Sequence, residues 1–188
     1  YQNLSYIFKE VHMRIAIIGY SGSGKSTTAR IVSKCAHLPT LHLDSVHFAP
    51  GWSERPGEEC RAILSEFMKQ DHWVIDGNYV KLCHEERLQL ADTILFFDFN
   101  RFTCFVRAHK RYRKFKGQTR PDLGEGCPEK MDWEFIRWLL WDGRKKERRH
   151  RFKHIVELYK NKVIVLKNQK QLDAFLAIMV DQLLLPKQ

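Results

Sequence analysis

Gly19-Tyr20-Ser21-Gly22-Ser23-Gly24-Lys25-Ser26 joins an apolar run, Arg14 to Ile18, to a stretch with helical spacing from Ser26 to Ala36. The pattern G-x-x-x-x-G-K-[ST] between a strand and a helix is the phosphate-binding loop. Its glycines let the backbone curl so that successive N–H groups point inward at phosphate oxygens. The following helix adds the positive end of its dipole. The loop predicts a site for ATP or another nucleoside triphosphate built from Gly19, Ser21, Gly22, Ser23, Gly24, Lys25, Ser26 and Thr27. In it Lys25 bridges the outer phosphates and Ser26 places its hydroxyl on Mg²⁺.

Outward from the loop, short apolar runs alternate with longer amphipathic ones. Arg14 to Ile18, Thr40 to Leu43, Trp73 to Ile75, Thr93 to Phe97 and Val163 to Leu166 are nearly continuous in apolar or β-branched residues. That is the mark of strands buried on both faces. Helical spacing occupies Ser26 to Ala36, Glu58 to Gln70, His84 to Leu90, Phe102 to Lys116, Asp132 to Tyr159 with a break, and Gln171 to Leu184. The alternation predicts an α/β fold, a parallel sheet between two helical layers. In such folds ligands collect beyond the carboxyl ends of the strands.

Three of those strands end in aspartate: Asp44, Asp76 and Asp98. Mg²⁺ takes hard oxygen ligands and commonly one carboxylate. Asp76, in Trp73-Val-Ile-Asp-Gly-Asn-Tyr79, is the expected metal partner of Ser26, with Gly77 turning the chain beside the phosphates. Asp44 has two readings: general base for an acceptor hydroxyl, or an Asx turn before Ser45. Asp98 reads as a helix-entry residue outside the site. His42 and His47 flank Asp44 and read as packing residues.

At 188 residues, 44% apolar and 29% charged, the chain is long enough for one globular domain, expected over 13–188 after an N-terminal extension, 1–12. Apolar runs of four or five residues are too short to span a membrane, and no secretory signal pattern opens the chain. Five cysteines without a Cys-x-x-Cys pair argue against a disulfide framework or zinc site and fit a reducing cytoplasm.

The net charge of +10 is concentrated: residues 101–154 hold 17 basic and 7 acidic side chains, and the remainder balances. Arg107 and Arg111 share a helix face and either meet adenine and phosphates or form a solvated basic face. The Gly- and Pro-rich stretch Lys116 to Pro128 carries Arg120 and reads as a loop with hinge-like ends. Arg144-Lys145-Lys146-Glu147-Arg148-Arg149 adds a second basic group. Phosphoryl transfer needs positioning, charge neutralisation and exclusion of water, so Arg120 and Arg144 are expected at the transferring phosphate, with Lys25 and Asp44. The aromatic stretch Trp133 to Trp141 reads as a helix docked by its apolar side. Its tryptophans and the basic segment also support an alternative: a nucleic-acid-binding regulator switched by ATP. A slow ATPase with a protein partner is a further alternative.

The loop, the Asp76-Gly77 pair and the arginine spacing after the fourth strand resemble the adenylate-kinase-like nucleoside monophosphate kinases. The resemblance implies a five-stranded parallel sheet in the order 2-3-1-4-5, an acceptor-binding insert near residues 45–72 and a lid near 112–150. It also places Arg107 and Arg111 on adenine and phosphates. The motifs His42-Leu-Asp-Ser-Val-His-Phe48, Pro50-Gly-Trp52, Val74-Ile-Asp-Gly-Asn-Tyr79, Asp98-Phe-Asn-Arg101 and Thr119-Arg-Pro-Asp122 together resemble bacterial proteins known as DNA topology modulation proteins. Where adenylate kinases carry Asp-Gly-Phe-Pro-Arg, this chain has Asp76-Gly77-Asn78-Tyr79. The expected function is Mg²⁺-dependent transfer of the ATP γ-phosphoryl to a small acceptor, a nucleotide or a hydroxylated metabolite. Asp44, Arg55, Asp76 and Asn78 are the candidate acceptor contacts.

Overall fold

The computed structural model describes residues 13–184; the expected extension 1–12 lies outside them. Five strands make one parallel sheet: β1 (Met13–Gly19), β2 (Thr40–His42), β3 (His72–Asp76), β4 (Thr93–Phe97) and β5 (Val163–Leu166). Their order, β2-β3-β1-β4-β5, is the expected one. Ile15, Ala16, Ile17 and Ile18 are consecutive, and none is more than 1% exposed. Only a sheet covered on both faces buries neighbours that point to opposite sides.

The helices are α1 (Lys25–Ala36), α2 (Leu43–His47), α3 (Gly57–Met68), α4 (His84–Leu90), α5 (Arg101–Phe115), α6 (Trp133–Leu140), α7 (Lys146–Leu158) and α8 (Gln169–Leu184). Apolar stripes at helical spacing face the core: Cys60, Leu64 and Met68 on α3, and Leu172, Phe175 and Met179 on α8, are buried. A short antiparallel hairpin, Phe48–Ala49 with Ser53–Glu54, follows α2. No helix among the described residues is long and apolar enough to cross a membrane.

Three local expectations need correction, and one is located. The second strand stops at His42, so Leu43 and Asp44 open α2 rather than close a strand. The break expected between Asp132 and Tyr159 falls at the tight turn Asp142–Arg144, which separates α6 from α7; a Cβ on Gly143 would lie 2.7 Å from the Trp138 carbonyl oxygen. The cap of α5 is Asn100, whose side chain accepts the Phe102 N–H at 2.8 Å; Asp98 instead gives its N–H to Leu166 O at the end of β5. The aromatic helix α6 docks only in part: Leu139 is buried, but Trp133 and Trp141 are 68% and 54% exposed.

Candidate active site

The loop between β1 and α1 has the backbone its glycines allow: Gly19, Gly22 and Gly24 have φ of 134°, 74° and 102°. A Cβ on Gly22 would sit 2.5 Å from Cys104 O, so α5 lies directly against the loop. Lys25 Nζ donates to Tyr20 O at 2.9 Å. Burial pulls the Lys25 ammonium below its ordinary range, and the Asp76 and Asp44 carboxylates oppose that pull.

Asp76 stands opposite Ile17 of β1 and His42 of β2 in the sheet register, so it emerges beside the loop. It is 4% exposed. Ser26 Oγ donates to Asp76 Oδ2 at 2.8 Å, and the other carboxylate oxygen meets His42 Nδ1. Burial disfavours the His42 imidazolium, but the hydrogen bond and charge of Asp76 outweigh it and hold the ring above its ordinary range. His42 is thus a site residue rather than the packing residue expected. The signal for it was its place at a strand end beside Asp44. Asn78 also departs from expectation. Its Oδ1 accepts the Gly19 N–H at 2.9 Å and its Nδ2 donates to Gly19 O, so its amide is engaged in fixing the loop rather than free for an acceptor. Asp44 faces the same cavity, and Tyr79 Oη donates to its Oδ1 at 2.9 Å. Burial, followed by the Asp44 charge, pushes the Tyr79 hydroxyl well above its ordinary range, so it stays a donor.

The arginines sort differently from expectation. Arg107 donates to Ser23 O on the loop and to Gln169 Oε1, and its guanidinium lies 4.4 Å over the Phe99 ring. Arg111 pairs with Glu129 at 2.8 Å. Arg120 is buried between Asp122, at 2.6 Å, and Glu129. Arg55 is not on the cavity: it donates to Val46 O and Ser45 O and pairs with Glu59 at 2.8 Å, bracing the insert. Arg144 is also elsewhere. It donates to Phe99 O at 2.6 Å and stacks 3.7 Å over Tyr20, behind the loop, so its guanidinium is committed to the scaffold. Arg148, one turn further on, lines the cavity instead, 4.2 Å over the Trp138 ring, and no carboxylate among the described residues pairs with it. Trp138 in turn donates to Ser21 Oγ at 3.2 Å. The basic segment therefore sends Arg107, Arg111, Arg120, Arg144 and Arg148 inward, while Lys110, Arg113, Lys114, Lys145, Lys146 and Arg149 stay exposed.

Two further titratable groups are buried on α4, His84 at the cavity wall and Arg87. Arg87 is 1% exposed, and none of its side-chain nitrogens has a hydrogen-bond partner among the described residues. Burial draws its pKa down to about 10, opposed by Asp76. Burial, then the charges of Arg87 and Arg151, draws His84 down to about 4.

Lys25, Ser26, His42, Asp44, Asp76 and Arg148 line a cavity of about 1020 Å³, at the upper end of ligand-site volumes and large enough for two small molecules side by side. The loop fits a phosphate chain, because its glycines hold the positive φ that lets the backbone curl, and Lys25 and the start of α1 stand beside it. Ser26 and Asp76, hard oxygen donors in mutual contact, fit Mg²⁺ held partly by phosphate oxygens and water.

No protein-family model matches the chain, and no curated protein matches it. Solved structures do. A shikimate kinase from Acinetobacter baumannii in complex with shikimate is 16% identical, over 93% of this chain and 94% of its own, with a TM-score of 0.54. A gluconokinase from Sinorhizobium meliloti 1021 is 15% identical over 91% of each chain, with a TM-score of 0.49. Strand order, loop and likeness to the first of these together give the chain the fold of the P-loop kinases.

Proposed function

We propose that the chain is a Mg²⁺-dependent phosphotransferase that moves the γ-phosphoryl of ATP to a hydroxyl of a small acceptor. One observation carries the reading: Lys25, the Ser26–Asp76 pair and Asp44 face one cavity at the carboxyl ends of adjacent strands. Bound Mg²⁺ would neutralise phosphate charge and align the oxygens for in-line transfer. Ser26 and Asp76 would hold it. The loop amides and Lys25 bind the phosphate chain, and Arg107 lies where α5 meets the loop, suited to the nucleotide's base. Asp44, whose second oxygen has no hydrogen-bond partner among the described residues, takes the proton of the acceptor hydroxyl. Arg148 supplies positive charge to the transferring group, the part first expected of Arg144.

The hairpin and the loop 116–132 are joined above the cavity. Gly51 N–H donates to Gly126 O at 3.0 Å, and Trp52 Nε1 donates to Pro128 O at 3.1 Å. A Cβ on Gly124 would lie 2.8 Å from Phe48 O. The two segments thus form a roof that keeps water from competing as acceptor. Arg107, Arg111, Arg120 and Arg148 of the basic segment line the cavity, and this supports the enzyme reading.

The test is incubation of a metabolite extract with ATP, Mg²⁺ and the protein, followed by mass spectrometry. A product heavier by one phosphoryl group, absent with Lys25→Met, is the expected result. ATP binding without any such product would overturn the proposal.

A further inference from the structure

The part of the cavity beyond Asp44 has a definite chemistry, and the inference from it rests on the phosphotransferase reading. One wall is aromatic. Tyr79, bonded to Asp44, meets His47 at a tilt with ring centres 4.5 Å apart; His47 meets Phe48 edge-on at 4.7 Å, and Phe48 meets Trp52 edge-on at 5.1 Å. Tyr79, Phe48 and Trp52 face the cavity. Trp52 holds φ at 63°. A bulky side chain in the left-handed region is strained, and such strain persists where the surroundings hold a residue in place for use. Here the indole N–H bond to Pro128 O and the Phe48 ring hold it.

Most of the charge around that wall is already engaged, three arginines sharing two buried carboxylates. Arg120 lies between Asp122 and Glu129, Arg111 is on Glu129, and Arg30 approaches Asp122 at 3.9 Å. Arg55 is held by Glu59 and two carbonyls, and Lys130 has Asp132 at 3.9 Å. Asp122 and Glu129 are only 4% and 6% exposed. An acceptor bearing a phosphate or carboxylate would find only the exposed Lys130 and the loosely held Arg30 to meet it there, and to draw on Arg111 or Arg120 it would have to strip an arginine from a buried carboxylate, which is strongly unfavourable. It would then face the carboxylate it had uncovered. A neutral ligand needs neither change.

We infer that the acceptor is an uncharged, hydroxyl-bearing compound with a flat ring, the chemical class of nucleosides, rather than a nucleotide or a sugar acid. The ring lies against Phe48, Trp52 and Tyr79. The hydroxyl oxygen forms its bond to the γ-phosphorus as the bond from that phosphorus to the β,γ-bridging oxygen breaks. ADP leaves, and the hydroxyl proton passes to Asp44.

The experiment compares kcat/KM with ATP and Mg²⁺ for the common nucleosides, their 5′-monophosphates, shikimate and gluconate, each product identified by mass. One nucleoside is expected to exceed its own monophosphate and both acids by about tenfold or more. Trp52→Ala should raise KM for that nucleoside about tenfold and leave the Kd for ATP unchanged. Asp122→Asn, checked for folding by circular dichroism, should narrow the gap between nucleoside and monophosphate by exposing Arg120. A monophosphate or an acid as the best acceptor overturns the inference but leaves the phosphotransferase reading intact. If ATP binds and no compound in the panel or in a metabolite extract is phosphorylated, both fall.

Discussion

Asp76 Oδ2 accepts the Ser26 hydroxyl at 2.8 Å, tying the end of β3 to the first turn of α1 across 50 residues of chain. The same carboxylate holds His42, so one buried group links the phosphate loop to two strand ends.

Asp76→Asn should leave the fold standing while removing the metal response. Without the carboxylate, transfer should fall by about 10²–10³-fold, the size of a lost charge-stabilising contact. Calorimetry of ATP binding across a Mg²⁺ series checks it: affinity that still rises with Mg²⁺ as in the parent would contradict the assignment.

Gly22→Ala and Gly51→Ala separate close packing from backbone preference. Both glycines have φ near 75°, but a Cβ on Gly22 strikes Cys104 O at 2.5 Å, whereas one on Gly51 meets nothing within 4 Å. The second change should cost about 1 kcal/mol and the first clearly more. Urea midpoints of the two variants decide it.

His84 makes stability depend on pH. Its folded pKa of about 4 lies below the ordinary 6.5 because of burial and the neighbouring Arg87 and Arg151. Between those values the unfolded chain binds the proton and the folded one does not. Stability is therefore full above pH 6.5 and is lost as pH falls toward 4, by up to about 3 kcal/mol. His84→Gln should flatten this part of the unfolding profile; an unchanged slope would refute His84 as its origin.

Arg144 and Arg148 should behave oppositely on mutation. Arg144→Ala loses the Phe99 carbonyl and the Tyr20 face, and should cost about 2 kcal/mol of stability. Arg148→Ala should cost no more than about 1 kcal/mol yet slow transfer about 10²-fold. Thermal unfolding and single-turnover kinetics on both variants test the pair.

Arg87→Met should raise the urea midpoint, because it removes a buried charge without a hydrogen-bond partner among the described residues. The gain expected is about 1–4 kcal/mol. A fall would mean that the guanidinium has a partner essential to the folded state.

Local chemistry decided the frame of this protein. Gly19 to Ser26 specify a turn that only glycine-rich backbone can make, and the unbroken apolar runs around Ile15–Ile18 and Thr93–Phe97 require a sheet covered on both sides. Both signals lie within a few residues of chain, which is why they could be read directly; the strand order came from family resemblance. The allocation of polar side chains could not be read this way. Asn78 bonds Gly19 across 59 residues, and Arg107 bonds Ser23 across 84. Arg144 and Arg148 are alike in composition and neighbourhood, yet a tight turn at Asp142–Arg144 sends one behind the loop and the other to the cavity. A buried polar group must find its partner wherever the packed elements place one, and that place is set by tertiary register rather than by any local period.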